Sequence, residues 1–148
     1  MNIPVNNNAP VFAKNQIQIN APVETVWKVL TNIKEWPKWQ KSVTKVIIDN
    51  KPIEGTEFKW EADGFTFNSK IHTANEFTAF GWTGKIIGTS AIHNWTFTSK
   101  DNTTIVTVEE SLQGVLPLIF RSNFQKKLEA GLLKNFHELK NEVENNHN

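Results

Sequence analysis

The C-terminal part of the chain places the strongest constraint on the fold. From residue 116 to about residue 144, apolar residues recur at steps of three and four: Phe120, Phe124, Leu128, Leu132, Phe136, Leu139 and Val143. This spacing predicts a helix with one apolar stripe and a charged, amide-rich opposite face. A helix of roughly 25 residues, rising about 1.5 Å per residue, crosses a whole small domain. Its apolar stripe requires a partner surface elsewhere in the chain.

An antiparallel sheet is the partner that the sequence predicts. From residue 43 onward apolar and polar residues alternate, which indicates strands at 43–49, 56–62, 65–73, 76–84, 89–98 and 103–112. The pairs Asp63-Gly64 and Ala74-Asn75 separate three of these runs, and Asp-Gly is a strong hairpin signal. Before them come a strand at 12–19, a short helix at 23–30 after Asn20-Ala21-Pro22, and a second short helix or turn containing Trp36 and Trp39.

Pairing across the predicted turns shows which side chains share a face. If Ala62 pairs with Phe65, and Thr73 with Glu76, the strand parity agrees through the whole sheet. One face is then strongly aromatic and is expected to face the long helix: Phe58, Trp60, Phe67, Phe80, Trp82, Trp95 and Phe97. The other face is polar, and His72 is expected there as a solvated residue.

Length and composition limit the organisation of the chain. Its 148 residues predict one domain at 11–145, with a flexible leader at 1–10 and a tail at 146–148. The net charge of +1, with signs interspersed, gives no electrostatic signature of nucleic-acid or anionic-membrane binding, so no nucleic-acid partner is expected. The chain has no cysteine, and it has neither an apolar run long enough to span a bilayer nor a signal peptide, so a cytoplasmic protein without integral membrane association is expected.

Six segments occur in an informative order: I-N-A-P-V-E-T-V-W, W-P-K-W, G-W-T-G, H-N-W-T-F, T-I-V-T-V-E-E-S-L-Q-G and F-H-E-L-K-N-E-V-E. In order and spacing they resemble the START-like (SRPBCC) superfamily, which includes polyketide cyclase/dehydrase-like, Bet v 1-like and Hsp90-ATPase-activator-like proteins. The likeness is greatest to the small bacterial cyclase-like members and covers about residues 12–144. It implies an α+β helix-grip fold, in which a curved sheet grips the long helix around a hydrophobic cavity.

The residues expected to line that cavity lie on the inward face of the strands and on the first half of the helix: Phe58, Trp60, Phe67, Ser69, Phe80, Trp82, His93, Trp95, Glu110, Phe124, Leu128 and Leu132. Core packing is the alternative role for Trp60, Trp82 and Trp95. Gly131 interrupts the long helix, which indicates either close approach to the sheet or room for a ligand.

His93 and Glu110 are the candidate catalytic residues. Strand parity places both on the inward face of neighbouring strands, either directly opposite or diagonal to each other. An imidazole and a carboxylate in contact can exchange protons with a substrate, orient a ligand, or simply satisfy each other. The histidines are not paired with one another and no phosphate-binding loop is present, so neither a metal nor a cofactor is expected.

Three functions are therefore open. The first is binding or carriage of a small hydrophobic molecule, such as a lipid, polyketide-like or isoprenoid compound. The second is a cyclase or dehydratase-like enzyme that uses His93 and Glu110 as an acid-base pair. The third is a protein-partner module similar to the Hsp90-activator-like group, which would require an exposed apolar patch. The oligomeric state is left open.

Overall fold

A computed structural model describes residues 2–147, and within them the strands form one seven-stranded antiparallel sheet. The strands are β1 (Val11–Ile19), β2 (Val43–Ile47), β3 (Glu57–Ala62), β4 (Phe65–Asn75), β5 (Ala79–Ile86), β6 (Thr89–Lys100) and β7 (Thr103–Gln113). Their order across the sheet is β1-β7-β6-β5-β4-β3-β2. From β2 to β7 each strand pairs with its neighbour in sequence, and β1 adds to β7. The predicted α+β architecture is confirmed.

Four helices accompany the sheet within the described residues: α1 (Val23–Thr31), α2 (Trp36–Trp39), α3 (Val115–Ile119) and α4 (Arg121–Asn146). A 3-10 turn at Ile33–Glu35 joins α1 to α2. Side-chain hydrogen bonds fasten α4 to the edge strand β1 near both ends of the helix. The Gln125 amide donates to the Phe12 carbonyl at 2.7 Å, and Lys140 Nζ donates to the Gln18 carbonyl at 2.7 Å.

The predicted long helix is broken near its start. Phe120 has ψ 40°, outside the helical range, and it separates α3 from α4. The short helix α3 is held to the β5–β6 turn, where the Leu116 N–H donates to the Gly88 carbonyl at 3.2 Å. Phe120 is consequently exposed and does not belong to the buried stripe, whereas Leu128, Leu132, Phe136, Leu139 and Val143 are buried as predicted.

Strand pairing is predicted correctly in some hairpins and wrongly in one. Across Asp63-Gly64, Trp60 lies opposite Phe67 as expected. The β4–β5 turn instead lies at residues 76–78, so Ser69 pairs with Gly84 rather than with Phe80. A bulge between Ile71 and Thr73 and a left-handed Phe77, with φ 64°, produce this shift. The shift is an even number of residues, so the inward and outward faces keep their predicted identities.

His72 is buried, contrary to the prediction of a solvated residue, because the N-terminal segment crosses the outer face of the sheet over it. The Ile3 N–H donates to His72 Nδ1 at 3.1 Å, and His72 Nε2 lies 2.8 Å from Asn94 Oδ1. Further along, the Asn6 N–H donates to Ser111 Oγ at 3.1 Å. Residues 2–6 thus cover polar side chains of three different strands.

Candidate functional site

Burial on the inward face decreases from one end of the sheet to the other. Near the β4–β5 and β6–β7 turns the inward side chains are fully or almost fully buried, as Phe80, Phe97 and Val106 show. Near the β3–β4 and β5–β6 turns Ala62 and Val11 are still buried, but most inward side chains are half-buried: Trp60, Phe67, Ile86, Ala91, Glu110 and Leu112, with Phe124 on the facing helix. These two regions are called the sealed end and the open end. Solvent therefore reaches the space under α4 from the open end.

Aromatic rings fill the sealed end. The Trp27 ring packs edge-on against Phe80 and Phe97 with centroid distances of 5.7 and 5.6 Å. Between the two ends, Trp36 is 2% exposed and contacts Phe58, Trp60 and Trp82, and its indole N–H donates to the Leu30 carbonyl at 2.8 Å. Such interlocked rings leave no room for a ligand in this half.

Small residues occupy the inward face of the open end. Ser69, Gly84 and Ala91 lie side by side on β4, β5 and β6. A methyl group built on Gly84 would have one neighbour within 4 Å among the described residues, apart from those adjoining Gly84 in the chain, and that neighbour is Ser69 Oγ at 3.2 Å. Gly84 is nonetheless shielded from solvent. The space directly over Gly84, called the recess, is therefore shielded from solvent but not filled by a neighbouring side chain, and it adjoins the half-buried Ala91.

One wall of the recess is aromatic and well ordered. The rings of Trp60 and Phe67 stack with centroids 4.6 Å apart and an interplanar angle of 22°. The Trp60 indole N–H donates to Ser69 Oγ at 3.1 Å, which fixes this stack at the edge of the small-residue row. The wall thus offers a flat apolar surface whose one polar atom is already hydrogen-bonded.

The opposite wall is polar. His93 lies directly opposite Glu110 in the β6–β7 pairing, and His93 Nδ1 is 2.9 Å from Glu110 Oε1. The imidazole stacks on Trp82 with centroids 4.4 Å apart and an angle of 8°. Because an ionised carboxylate only accepts hydrogen bonds, we place the proton of this contact on Nδ1. The ring orientation is thereby fixed, and Nε2 is turned away from Glu110.

Three buried polar atoms of β6 have no hydrogen-bond partner among the described residues: Thr89 Oγ1, His93 Nε2 and Trp95 Nε1. By strand alternation all three side chains lie on the inward face. A buried polar atom without a partner costs roughly 1–3 kcal/mol, so such atoms are uncommon in folded proteins. Their concentration on one strand marks this wall as a place where a polar ligand atom would be stabilised.

The structure divides the predicted cavity residues into two groups. One group is buried in the core: Phe80 at the sealed end, Phe58 opposite Ser69 and against Trp36 and Trp82, and Leu128 and Leu132 on the underside of α4. The others lie around the recess or at its boundary with the sealed end: Trp60, Phe67, Ser69, Trp82, His93, Trp95, Glu110 and Phe124. The sequence reasoning missed Gly84, Ala91 and Thr89. Gly84 shares the inward parity of Phe80 and Trp82, but a glycine in a strand gives no sign in the sequence that the space above it stays unfilled.

Two surface grooves lie away from the recess. One, of about 530 Å³, is bordered by α1 and the β4–β5 turn and includes Trp27 and Phe77. The other, of about 550 Å³, runs along the outer side of α4 and includes Trp39 and Leu133. None of the predicted cavity residues lines either groove. Both are open and shallow, and an enclosing apolar site is the more usual form for small ligands.

The described residues show neither a metal-binding cluster nor a membrane-spanning helix. Between residues 2 and 147, no group of three or more His, Cys, Asp or Glu side chains is arranged to hold a metal ion. Over the same residues, no helix combines the length and the apolar character needed to cross a membrane.

The arrangement defines a START-like helix-grip protein, and solved structures share it. A hypothetical protein of Helicobacter pylori superposes with a TM-score of 0.79 at 18% identity, covering 90% of this chain and 88% of that one. A START superfamily protein from Mycobacterium smegmatis gives 0.78 at 12%, covering 90% and 97%. The Zhui aromatase/cyclase of Streptomyces sp. R1128 gives 0.79 at 14%, covering 90% and 93%. At these identities the likeness concerns the fold.

The sequence itself matches one family. Residues 13–144 match the model of the family described as polyketide cyclase / dehydrase and lipid transport. The chain therefore belongs to this family, and the resemblance noted in its sequence is confirmed. No curated protein sequence matches it.

Proposed function

We propose that the protein binds or carries, in the cytoplasm, a small and mostly apolar molecule in the recess of the open end. The observation that carries this proposal is the covered, unfilled space over Gly84 beside the unpartnered Nε2 of His93. Apolar surface on the Trp60 and Phe67 side would supply most of the binding free energy, at about 25 cal/mol per Å² buried. The polar wall would fix the orientation of the ligand.

The chemistry of the polar wall limits the ligand class. Trp95 Nε1–H can only donate, so it requires an acceptor such as a carbonyl, hydroxyl or carboxylate oxygen. His93 Nε2 accepts a hydrogen bond from a hydroxyl when the ring is neutral and donates one when the ring is charged. A ring-containing or chain-like hydrocarbon with at least one oxygen at one end could hydrogen-bond to both Trp95 Nε1 and His93 Nε2. Polyketide-like, isoprenoid and fatty-acid compounds meet this description.

Native mass spectrometry of gently purified protein tests the carrier function. We expect an additional mass at one-to-one stoichiometry, released on denaturation as an apolar, oxygen-containing compound. Ala91→Phe, which adds a ring to the floor of the recess, should be purified without it. Release of the same compound from Ala91→Phe would place the ligand elsewhere and contradict the proposal.

A second function, a cyclase or dehydratase-like reaction, is favoured by the contact between His93 and Glu110. With Nδ1–H held by the carboxylate at 2.9 Å, Nε2 is free to take a proton from a bound substrate, and the resulting imidazolium would be stabilised by Glu110. The aromatase/cyclase with the same fold is consistent with this alternative.

Glu110→Gln separates the enzyme from the carrier, because the amide oxygen keeps the hydrogen bond to Nδ1 but loses the negative charge. For an enzyme, we expect conversion of a bound polyketide-like substrate to slow by about 100-fold or more, with binding changed less than about threefold. Liquid chromatography with mass detection follows the conversion, and probe titration follows the binding. Equal turnover in both proteins would exclude the catalytic role of the pair.

A further inference from the structure

Besides Phe65 on the β3–β4 hairpin, five exposed apolar side chains lie at the open end: Ile87, Val115, Leu118, Ile119 and Phe120. Their exposed fractions range from 52% for Phe120 to 90% for Ile87. They are called the apolar rim. The rim comes from two segments, the β5–β6 turn and α3 with the residue that follows it. Single exposed apolar residues are ordinary, but adjacent ones on a protein surface mark an interaction site.

The two segments of the rim are packed into one surface. The Leu116 N–H donates to the Gly88 carbonyl at 3.2 Å. A methyl group on Gly88 would come within 2.8 Å of Leu116 Cγ, and one on Gly114 within 2.4 Å of the Gly88 carbonyl oxygen. Both glycines also have φ in the left-handed region, at 67° and 124°. Glycine at these positions therefore permits the contact that presents the apolar side chains together.

The two rim segments and the residues that directly flank them in the chain carry charges of one sign. Residues 77–100 and 111–128 contain no Asp or Glu. They contain the exposed cations Lys85, Arg121, Lys126 and Lys127, together with Lys100 at the far end of β6. In β7, Glu109 is paired with Lys14 at 3.0 Å and Glu110 with His93. The other carboxylates near the open end are Glu129 on α4, which accepts a hydrogen bond from the Gln125 amide at 2.8 Å, and Glu61 and Asp63 on the β3–β4 hairpin at the far side of β5.

We propose that the apolar rim docks on the surface of a lipid bilayer that contains anionic lipids. In this arrangement the rim side chains enter the boundary between headgroups and acyl chains, and Lys85, Arg121, Lys126 and Lys127 lie at the level of the phosphates. The association is peripheral. Docking requires only the rim and the cations beside it, with or without a ligand in the recess.

A bilayer matches the rim better than a protein surface does. The five rim side chains are aliphatic or phenyl groups and offer no hydrogen-bonding group to a partner. Protein interfaces usually pair an apolar centre with matched polar groups around it. Exposed apolar side chains flanked by cations are instead the arrangement that peripheral membrane segments use. The open end of the recess would then face the lipid.

Vesicle flotation tests the proposal. Protein is mixed with vesicles of phosphatidylcholine alone, or of phosphatidylcholine with phosphatidylglycerol, and the bound fraction is measured after centrifugation. We expect binding to the phosphatidylglycerol vesicles, with at least about tenfold weaker binding to phosphatidylcholine alone and a decrease as salt is raised. No binding to phosphatidylglycerol vesicles at low salt would overturn the proposal.

Variants locate the contact. In the double variant Ile87→Asp with Leu118→Asp, binding should fall by about tenfold or more, because two apolar side chains are replaced by anions. The matched control is Leu133→Asp, since Leu133 is 49% exposed on the outer side of α4, away from the rim. Thermal unfolding should show that both proteins remain folded. Equal loss of binding in both would overturn the proposal.

Sedimentation velocity without lipid tests whether a second copy of the chain, rather than a bilayer, covers the apolar rim. A protein docked on lipid through the rim is expected to remain monomeric across the concentration range. A dimer that Ile87→Asp dissociates would assign the rim to self-association and overturn the membrane proposal.

Discussion

The sealed and open ends of the space under α4 are made from the same strands and the same helix, yet one is filled and the other is not. At the sealed end, Phe80, Phe97 and Phe136 are almost completely buried. At the open end, the equivalent inward positions hold Ser69, Gly84 and Ala91. Strand parity decides which residues point inward, but side-chain volume decides where space for a ligand remains.

Two phenylalanines on the same helix should show the largest difference between the ends. Phe136 is 1% exposed and packs edge-on against Trp95 at 5.6 Å, so Phe136→Ala should reduce the free energy of unfolding by about 3–5 kcal/mol. Phe124 is half-buried at the open end, and Phe124→Ala should cost about 1 kcal/mol. Urea denaturation measures both.

Equal losses in these two variants would contradict the distinction between the ends. A large loss for Phe124→Ala alone would mean that the open end, rather than the sealed end, contains the stabilising core.

Filling the recess should affect binding more than stability. In Ala91→Phe a ring is added between Gly84 and Leu112. The affinity for the apolar probe anilinonaphthalene sulfonate should fall by about tenfold. The free energy of unfolding should change by less than about 1 kcal/mol. Thr96→Phe adds the same ring to the outer face of β6 and serves as the control. Probe fluorescence gives both affinities, and equal effects of the two substitutions would show that the probe binds elsewhere.

The smallest effect is expected at Gly131. A methyl group there would meet no atom within 4 Å among the described residues, so close approach of the helix to the sheet is not the reason for this glycine. Gly131→Ala should stabilise the protein by about 0.5–1 kcal/mol, because alanine is the better helix former. Thermal unfolding measures this gain in stability, and the affinity for anilinonaphthalene sulfonate should be unchanged. Destabilisation would show that the helix depends on glycine at this position.

Much of the fold was predictable because it follows from local periodicity. The alternation in the strands, the Asp63-Gly64 hairpin and the apolar stripe from Leu128 onward are all readable in the sequence and all confirmed. The β4–β5 turn was not predictable, because Phe77 occupies a left-handed conformation that phenylalanine rarely adopts. Its ring packs edge-on against Trp27 at 6.2 Å, a contact far away in sequence that accompanies the unusual backbone.

The candidate site was predictable in its polar part and less so in its apolar part. His93 and Glu110 could be paired from strand parity, and the direct pairing is one of the two registers expected. The recess depends on what is missing from the inward face, and a glycine in a strand gives no sign of whether a neighbour fills the space above it. The burial of His72 required knowing that residues 2–6 fold back over the outer face.

The average charge of the chain also conceals a local property. A net charge of +1 with mixed signs predicts no attraction to anionic surfaces. The fold brings together two segments, 77–100 and 111–128, that are both free of carboxylates, and it does so at the end where the apolar rim lies. Charge arrangement in the folded protein, rather than composition, sets local binding.

The six tryptophans can show directly whether the ligand binds in the recess. Trp60, Trp82 and Trp95 lie at the recess or its walls, Trp27 borders the groove beside α1, and Trp39 borders the groove along α4. Proton–nitrogen correlation NMR resolves each indole N–H during titration with anilinonaphthalene sulfonate. If the probe binds in the recess, the signals of Trp60, Trp82 and Trp95 should shift in a saturable way. Those of Trp27 and Trp39 should not. Saturable shifts of Trp27 or Trp39, with the three recess signals unchanged, would contradict binding in the recess.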